Sequence, residues 1–357
     1  PDGNERSRSV PDKRTAREIK TEVERALARR QRWQPSGACE QADIEVALSA
    51  YVTDCSRLNM ASTTRRYACC LEIFRVWLAA REGEGRSLHF GLLSKSLLNE
   101  FWTHLLSTGR HGKPRKSGTA QKILQAVQQW WKWAYSEDEY LGLLPQPQEL
   151  KVRSEARTPT VAPTWAEMDA CIAACDGWHR QLAILLRFTG LRVQQAMLLE
   201  WEDFDLQGRV LTFRGELGKT QEERKGRIIP ISRHLADEMA GWGPRQGFIV
   251  LSGRKADGPR AREARGRDMG RAWKRAGVRE EVWKSRPHHA FRKGFVSGLK
   301  RARVDVDAVE FLVGHSLGLR GVYTDPDALP LREAVEMIPP MDVGKIPLHF
   351  PSIIVSD

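Results

Sequence analysis

The chain has 357 residues, 41% of them hydrophobic, with 57 Lys plus Arg against 45 Asp plus Glu and a formal charge of +12. That length suits two cores with tails, and the basic balance makes nucleic acid the first candidate partner, although ribosome-associated and membrane-surface proteins share it. Six cysteines without paired CxxC spacing argue against a zinc site or a dense disulfide framework, and no apolar run reaches the roughly 18 to 20 residues of a membrane span.

Residues 1–41 read as a basic N-terminal extension, flexible or DNA-contacting, in which Ile19, Val23 and Leu27 keep helical spacing. The charged N-terminus lacks the apolar centre of a signal peptide, so a cytoplasmic protein is expected. Residues 42–144 show helix after helix and read as a helical DNA-binding domain. Three helices are clear: 62–78 with Tyr67, Leu71, Phe74 and Leu78; 94–106 with Leu97, Leu98, Phe101 and Leu105; 117–135 with Ile123, Leu124, Val127 and Trp131. Ser62 and Ser117 are candidate N-caps. The loop 107–116 carries Lys113, Arg115 and Lys116 and could grip phosphate. The Trp130, Trp131, Trp133 cluster invites a base-stacking reading, but aromatics at helical spacing are more often core.

Four prolines in 145–163 mark an extended linker. From 164 the chain resumes with helices over 165–174 and 179–188, another after Thr189-Gly190, and two strand-like stretches, 209–213 and 227–231, that suggest a hairpin with a long tip. Residues 254–303 hold 17 basic against 5 acidic residues, as large an excess as that of the whole chain. Trp273, Trp283, Phe291 and Phe295 interrupt this run and argue for a folded basic surface, with Arg254, Arg260, Arg271, Lys274 and Arg275 as candidate phosphate contacts. A tail, 340–357, is apolar enough over 346–354 to dock as an extended strand on a neighbouring protomer.

Within 164–339 five elements follow in order: Thr189-Gly190-Leu191-Arg192, Lys219 in the hairpin tip, His289-Ala290-Phe291-Arg292, Gly314-His315, and Tyr323. Each alone is weak, since an HxxR or a GHS tripeptide arises by chance. In this order and spacing they resemble the tyrosine recombinase, or phage integrase, family. Its signature is an Arg in a TGLR-type turn, a hairpin Lys, an HxxR motif, a His after LxGH and a Tyr shortly beyond. The resemblance covers about 164–337. It implies a mainly α fold with a small β-hairpin or sheet: a helical core-binding (SAM-like) domain followed by an α+β catalytic domain.

The residue types fit that chemistry. Tyrosine, with an ordinary pKa near 10, is ionised in roughly one molecule in a thousand at neutral pH and needs a proton acceptor or positive surroundings to attack phosphorus. Guanidinium forks stay protonated and can bond both non-bridging oxygens of a five-coordinate phosphorus. The resemblance implies that Arg192 and Arg292 take this role, that His315 also bonds a non-bridging oxygen, that His289 assists proton removal, and that Lys219 protonates the leaving 5′ oxygen. The nucleophile would be Tyr323; the other tyrosines, Tyr51, Tyr67, Tyr135 and Tyr140, all precede the linker.

The implied enzyme needs neither metal nor soluble cofactor. Its partner would be double-stranded DNA, bound as a homotetramer assembled from monomers or dimers, with accessory DNA-bending or directionality proteins admitted and no membrane. Its role would be phage or mobile-element integration and excision. Three departures from the family pattern stand out. His315 and Tyr323 are one residue closer than usual, Gln195 replaces an acidic residue, and the long tip offers Lys225 beside the favoured Lys219. Other readings are a topoisomerase-like or telomere-resolving enzyme with the same chemistry, or a catalytically silent DNA-binding protein. His288 is read as a neighbour on another helix face or a phosphate contact.

Overall fold

The computed structural model of the chain describes residues 17, 20, 21, 24, 43–83, 88–109, 113–137, 140, 144–153, 159, 161–218, 223–243, 245–250, 266–315, 317 and 325–342. The chain divides into two compact units, Pro1–Thr158 and Pro159–Asp357. The N-terminal extension, apart from four residues, and the tail beyond 342 lie outside the described residues.

In the first unit the described residues form helices α1 (Ile44–Leu58), α2 (Ala61–Glu82), α3 (Lys95–Ser107) and α4 (Ser117–Ser136). Asp43 caps α1 by accepting from the Glu45 N–H at 2.7 Å, and Ser94 caps α3 by accepting from the Leu97 N–H at 3.1 Å. Each bond satisfies one of the donors that a helix start leaves unpaired. Ser62 and Ser117, expected as caps, instead lie inside their helices. The extended residues at those starts are Met60 and Lys116, which bring no side-chain acceptor. Helix α2 also runs on to Glu82, past the expected end, and stops at Gly83.

The apolar stripes meet in one core, where Phe74 lies edge-on to Phe101 with centroids 5.1 Å apart. Trp130 and Trp131 are fully buried there, and the Trp131 Nε1–H donates to the Pro145 carbonyl at 2.9 Å. Trp133 donates to Asp54 at 3.1 Å. The tryptophan cluster therefore packs the core, as its helical spacing suggests, and large apolar side chains of this kind contribute about 1.5 to 3 kcal/mol each on burial.

The second unit opens with α5 (Trp165–Ala173), whose start is a capping box: Thr164 accepts from the Glu167 N–H and Glu167 accepts from the Thr164 N–H. Next come α6 (Trp178–Thr189), the single turn α7 (Val193–Ala196), and a three-stranded antiparallel sheet of β1 (Phe204–Asp205), β2 (Val210–Phe213) and β3 (Arg227–Pro230), in that order. Leu211 pairs with Ile229 and Phe213 with Arg227. Leu211 and Phe213 are buried while Thr212 is exposed, the period of two that makes the hairpin legible. Strand β1 leaves no mark in the sequence, because two residues are too few to show an alternation.

Helices α8 (Arg233–Ala240), α9 (Gly266–Arg275), α10 (Glu280–Trp283), α11 (Pro287–Arg301), α12 (Val306–Val313) and α13 (Leu331–Glu336) complete the unit. Helix α11 is its centre, packed against α5, α6, α9, α10 and α12. A fully buried Arg187 on α6 pairs with Asp169 of α5 and donates to the Pro339 carbonyl at 3.0 Å, while the Asp342 N–H donates to Asp169 at 3.3 Å. This pair anchors the chain as it leaves the last helix. Among the described residues no helix is long and apolar enough to cross a membrane.

Candidate active site

Three of the five signature elements converge on one guanidinium. Arg292 projects from α11, is 3% exposed, and donates from Nη1 to the Gly190 carbonyl at 2.8 Å and from Nη2 to the Val313 carbonyl at 2.7 Å. Gly190 belongs to the turn after α6, and Val313 ends α12 just before Gly314-His315. One planar fork thus joins the TGLR turn, the HxxR helix and the GH turn, a geometry that a point-like ammonium would not reproduce.

The sequence builds each turn for this approach. Thr189 Oγ1 donates to the Leu185 carbonyl at 2.6 Å and accepts from the Leu191 N–H at 3.3 Å, which closes the end of α6. Gly190 then turns the chain at φ +61°, and a Cβ there would lie 2.5 Å from the Phe295 ring of α11. Arg192 starts α7, where its N–H donates to Gln195 Oε1 at 3.0 Å. Gln195 is buried, so the amide oxygen supplies the acceptor that a carboxylate would have offered, and the loss of the family's acidic residue leaves this turn intact.

His289 is half-buried on α11. Burial, then the charges of Arg292, Arg286, Lys293 and Arg192, lower its pKa to about 4, so the ring is neutral at neutral pH. A neutral imidazole beside several cations can accept a proton or a hydrogen bond. Of the two readings of His288, a neighbour on another helix face or a phosphate contact, burial favours the first. Its ring is buried in the core and its pKa is lowered to about 4, by burial first and then by His179.

Gly314, at φ +70°, ends α12 and lets the His315 N–H return to the Glu310 carbonyl at 2.9 Å. The His315 Nδ1 meets the Glu310 carboxylate, whose other oxygen lies 3.3 Å from Lys300 Nζ. Burial pushes the Glu310 carboxyl up, but the hydrogen bond and charge of His315, with those of Lys300, prevail and hold it below the ordinary carboxylate range.

Sequence reading missed Arg227. It begins β3, stacks its guanidinium 4.4 Å from the Phe213 ring and places Nη2 3.4 Å from the Leu312 carbonyl. A Cβ at Gly314 would come within 2.6 Å of its Nη1, so the hairpin base rests directly on the histidine turn. No local pattern announces this, because a charged residue opening a strand is ordinary and the contact spans 85 positions.

Lys219 and Tyr323, and with them the choice between Lys219 and Lys225 and the effect of the short His315 to Tyr323 spacing, lie outside the described residues, although Lys225 itself is exposed at the tip. Arg254 and Arg260 also lie outside them. Of the other proposed phosphate contacts, Lys274 and Lys113 are exposed, and Arg271 is 3.5 Å from Asp268. Arg275 bonds the Ala174 carbonyl and Asp176, Arg115 bonds the Thr108 carbonyl, and Lys116 holds the N-cap position of α4. Among the described residues no group of three or more His, Cys, Asp or Glu could hold a metal ion.

A sequence model of the phage integrase family matches residues 164–326. Curated relatives include the tyrosine recombinase XerA of Thermococcus kodakarensis, 27% identical over 237 residues, which cover 62% of this chain and 77% of that one. The tyrosine recombinase XerD of Rhizobium meliloti is 28% identical over 291 residues, covering 74% of this chain and 85% of that one. Among solved structures, a lambda integrase tetramer bound to a Holliday junction superposes with a TM-score of 0.57 at 15% identity, covering 85% of this chain and 88% of that one. At that identity the likeness is one of fold.

Proposed function

We propose that this chain, which belongs to the phage integrase family of tyrosine recombinases, is a site-specific recombinase that cleaves and rejoins double-stranded DNA through a 3′-phosphotyrosyl intermediate on Tyr323. The observation that carries the reading is the Arg292 fork, which gathers the TGLR turn, the HxxR helix and the GH turn around one buried cation.

In this mechanism the Tyr323 oxygen attacks a backbone phosphorus. The new O–P bond forms as the bond to the 5′ oxygen breaks, and that oxygen takes a proton from Lys219 or, in its place, Lys225. Arg192, Arg292 and His315 bond the non-bridging oxygens as negative charge gathers on them. His289, neutral at neutral pH, accepts the phenolic proton. The tyrosyl ester keeps the energy of the broken phosphodiester, so attack by the 5′ hydroxyl of a second strand restores DNA without ATP. Each charge-stabilising group of this kind is worth about a hundred- to thousandfold in rate.

Two strands must be exchanged between two sites, so the working unit in this reading is a tetramer on DNA. That the curated relatives are named tyrosine recombinases, and that a lambda integrase tetramer on a Holliday junction shares the fold, support the assignment. The intact Arg192–Gln195 turn speaks against a catalytically silent chain. The test is covalent trapping on a pool of nicked duplexes with randomised half-sites. A protein–DNA adduct that survives denaturation and is lost in Tyr323→Phe supports the proposal; its absence from the wild-type chain overturns it. Recombined, relaxed or hairpin products then separate integration from topoisomerase or telomere-resolving activity.

A further inference from the structure

We propose that Glu310 is a positioning residue for the DNA-cleavage reaction: it accepts the Nδ1–H of His315, so that the Nε2–H is the donor presented to the scissile phosphate, and Lys300 holds Glu310 in turn. The inference rests on the recombinase reading above and assigns roles to two residues outside the five signature elements.

The contacts come from three places in the fold. The left-handed turn at Gly314 folds the backbone so that the His315 N–H bonds the Glu310 carbonyl at 2.9 Å, which brings the His315 ring over the side chain of that same residue. The Glu310 carboxylate then takes Nδ1 with one oxygen and faces Lys300 Nζ of α11 at 3.3 Å with the other. The Glu310 side chain is 18% exposed and that of His315 43%, so the carboxylate is the more sheltered partner and the ring keeps surface that a phosphate can reach. An ionised carboxylate only accepts hydrogen bonds, so the nitrogen that meets it must carry a hydrogen, and a ring that also donates from Nε2 to a phosphate oxygen carries hydrogen on both nitrogens. Arg227 and Arg292 bond or crowd the backbone next to His315 and Lys300 bonds Glu310, so Glu310 is the acidic group among these cations that meets the ring.

The experiment compares wild type with Glu310→Ala, Glu310→Gln, Lys300→Met, His315→Ala and the Glu310→Ala/His315→Ala pair in single-turnover adduct formation on the duplex pool, with DNA binding measured in parallel. Expected are a loss of at least tenfold in adduct rate for Glu310→Ala, binding within twofold of wild type, a smaller loss for Lys300→Met, and a double variant no slower than His315→Ala alone. Nitrogen-15 spectra of the His315 ring in the DNA complex should show hydrogen on both ring nitrogens in wild type and its loss from Nδ1 in Glu310→Ala, with Glu310→Gln, whose amide oxygen can still accept, closer to wild type, a pattern that loss of packing alone would not produce. A wild-type ring protonated only at Nε2, a Glu310→Ala rate equal to wild type, or losses that multiply in the double variant would overturn the assignment. No adduct from wild type would instead overturn the recombinase reading itself.

Discussion

Arg292 Nη1 donates to the Gly190 carbonyl at 2.8 Å across 102 positions of sequence, and its other terminal nitrogen serves Val313. Lysine in that place keeps the charge but lacks the planar fork whose two nitrogens reach separate carbonyls, and a buried acceptor left unmet costs about 1 to 3 kcal/mol. Arg292→Lys should therefore lower the unfolding free energy in urea by about that amount and abolish adduct formation. An unchanged urea midpoint would show that the fork is not needed to join the turns.

Gly190→Ala tests the same junction from the other side. The residue stands at φ +61°, where a Cβ is disfavoured, and the added carbon would lie 2.5 Å from the Phe295 ring. Backbone strain and overpacking together should cost about 2 to 4 kcal/mol. Phe295→Leu in the same chain should recover the steric part and leave the backbone part, which urea unfolding of the two variants and the pair would separate.

How far this site can be read without coordinates depends on the range of the interactions. Helical stripes such as Leu97, Leu98, Phe101 and Leu105, and the alternation of Leu211, Thr212 and Phe213, repeat within a few residues, so the helices and the hairpin are legible locally. Caps are less so, because Ser62 and Ser117 have the right chemistry one or two places too far along. The ordered series from Arg192 to His315 is legible through family resemblance. What Arg227 does is not, since its contacts with Phe213 and with the Leu312 carbonyl join β2, β3 and α12 and no local pattern encodes them.

Stability should fall with acid in a defined window. His288 and His289 both have folded-state pKa values lowered from 6.5 to about 4, chiefly by burial. Above pH 6.5 the ring is neutral in both states. Between 6.5 and 4 the unfolded chain takes up a proton that the folded chain refuses, so unfolding becomes easier as pH falls. For the deeply buried His288 the effect is limited to about 3 kcal/mol, and the half-buried His289, partly screened by water, contributes less. Melting temperatures from pH 7 to 4 should decline in wild type and flatten in His288→Asn. A flat wild-type profile would contradict the burial of these rings.

The Arg187–Asp169 pair should behave as a buried ion pair does when broken from one side. Both side chains are almost fully sheltered, so Asp169→Ala strands a guanidinium and should cost about 3 to 5 kcal/mol. Replacing both residues by leucine removes the stranded charge and should recover most of that loss in urea unfolding. The double variant should also free the chain at 339–342, which depends on Arg187 and Asp169 for its bonds, and hydrogen exchange at Asp342 would report it.

The basic residues proposed to grip DNA should divide into two groups by what they already bond. Lys274 and Lys113 are exposed on the surfaces of their respective units, whereas Arg275 is held by Asp176 at 3.1 Å and by the Ala174 carbonyl, and Arg115 by the Thr108 carbonyl. Neutralising a phosphate releases condensed counterions, so each such contact adds about 0.9 to the slope of log affinity against log salt. Lys274→Ala and Lys113→Ala should each reduce that slope by about 0.9 on duplex DNA. Arg275→Ala should change it less and lower the melting temperature instead, because it loses an intramolecular tie and not a phosphate. If Arg275→Ala alters the salt slope as much as Lys274→Ala does, its side chain must leave Asp176 when DNA binds, and its bonds in the free protein do not keep it from phosphate.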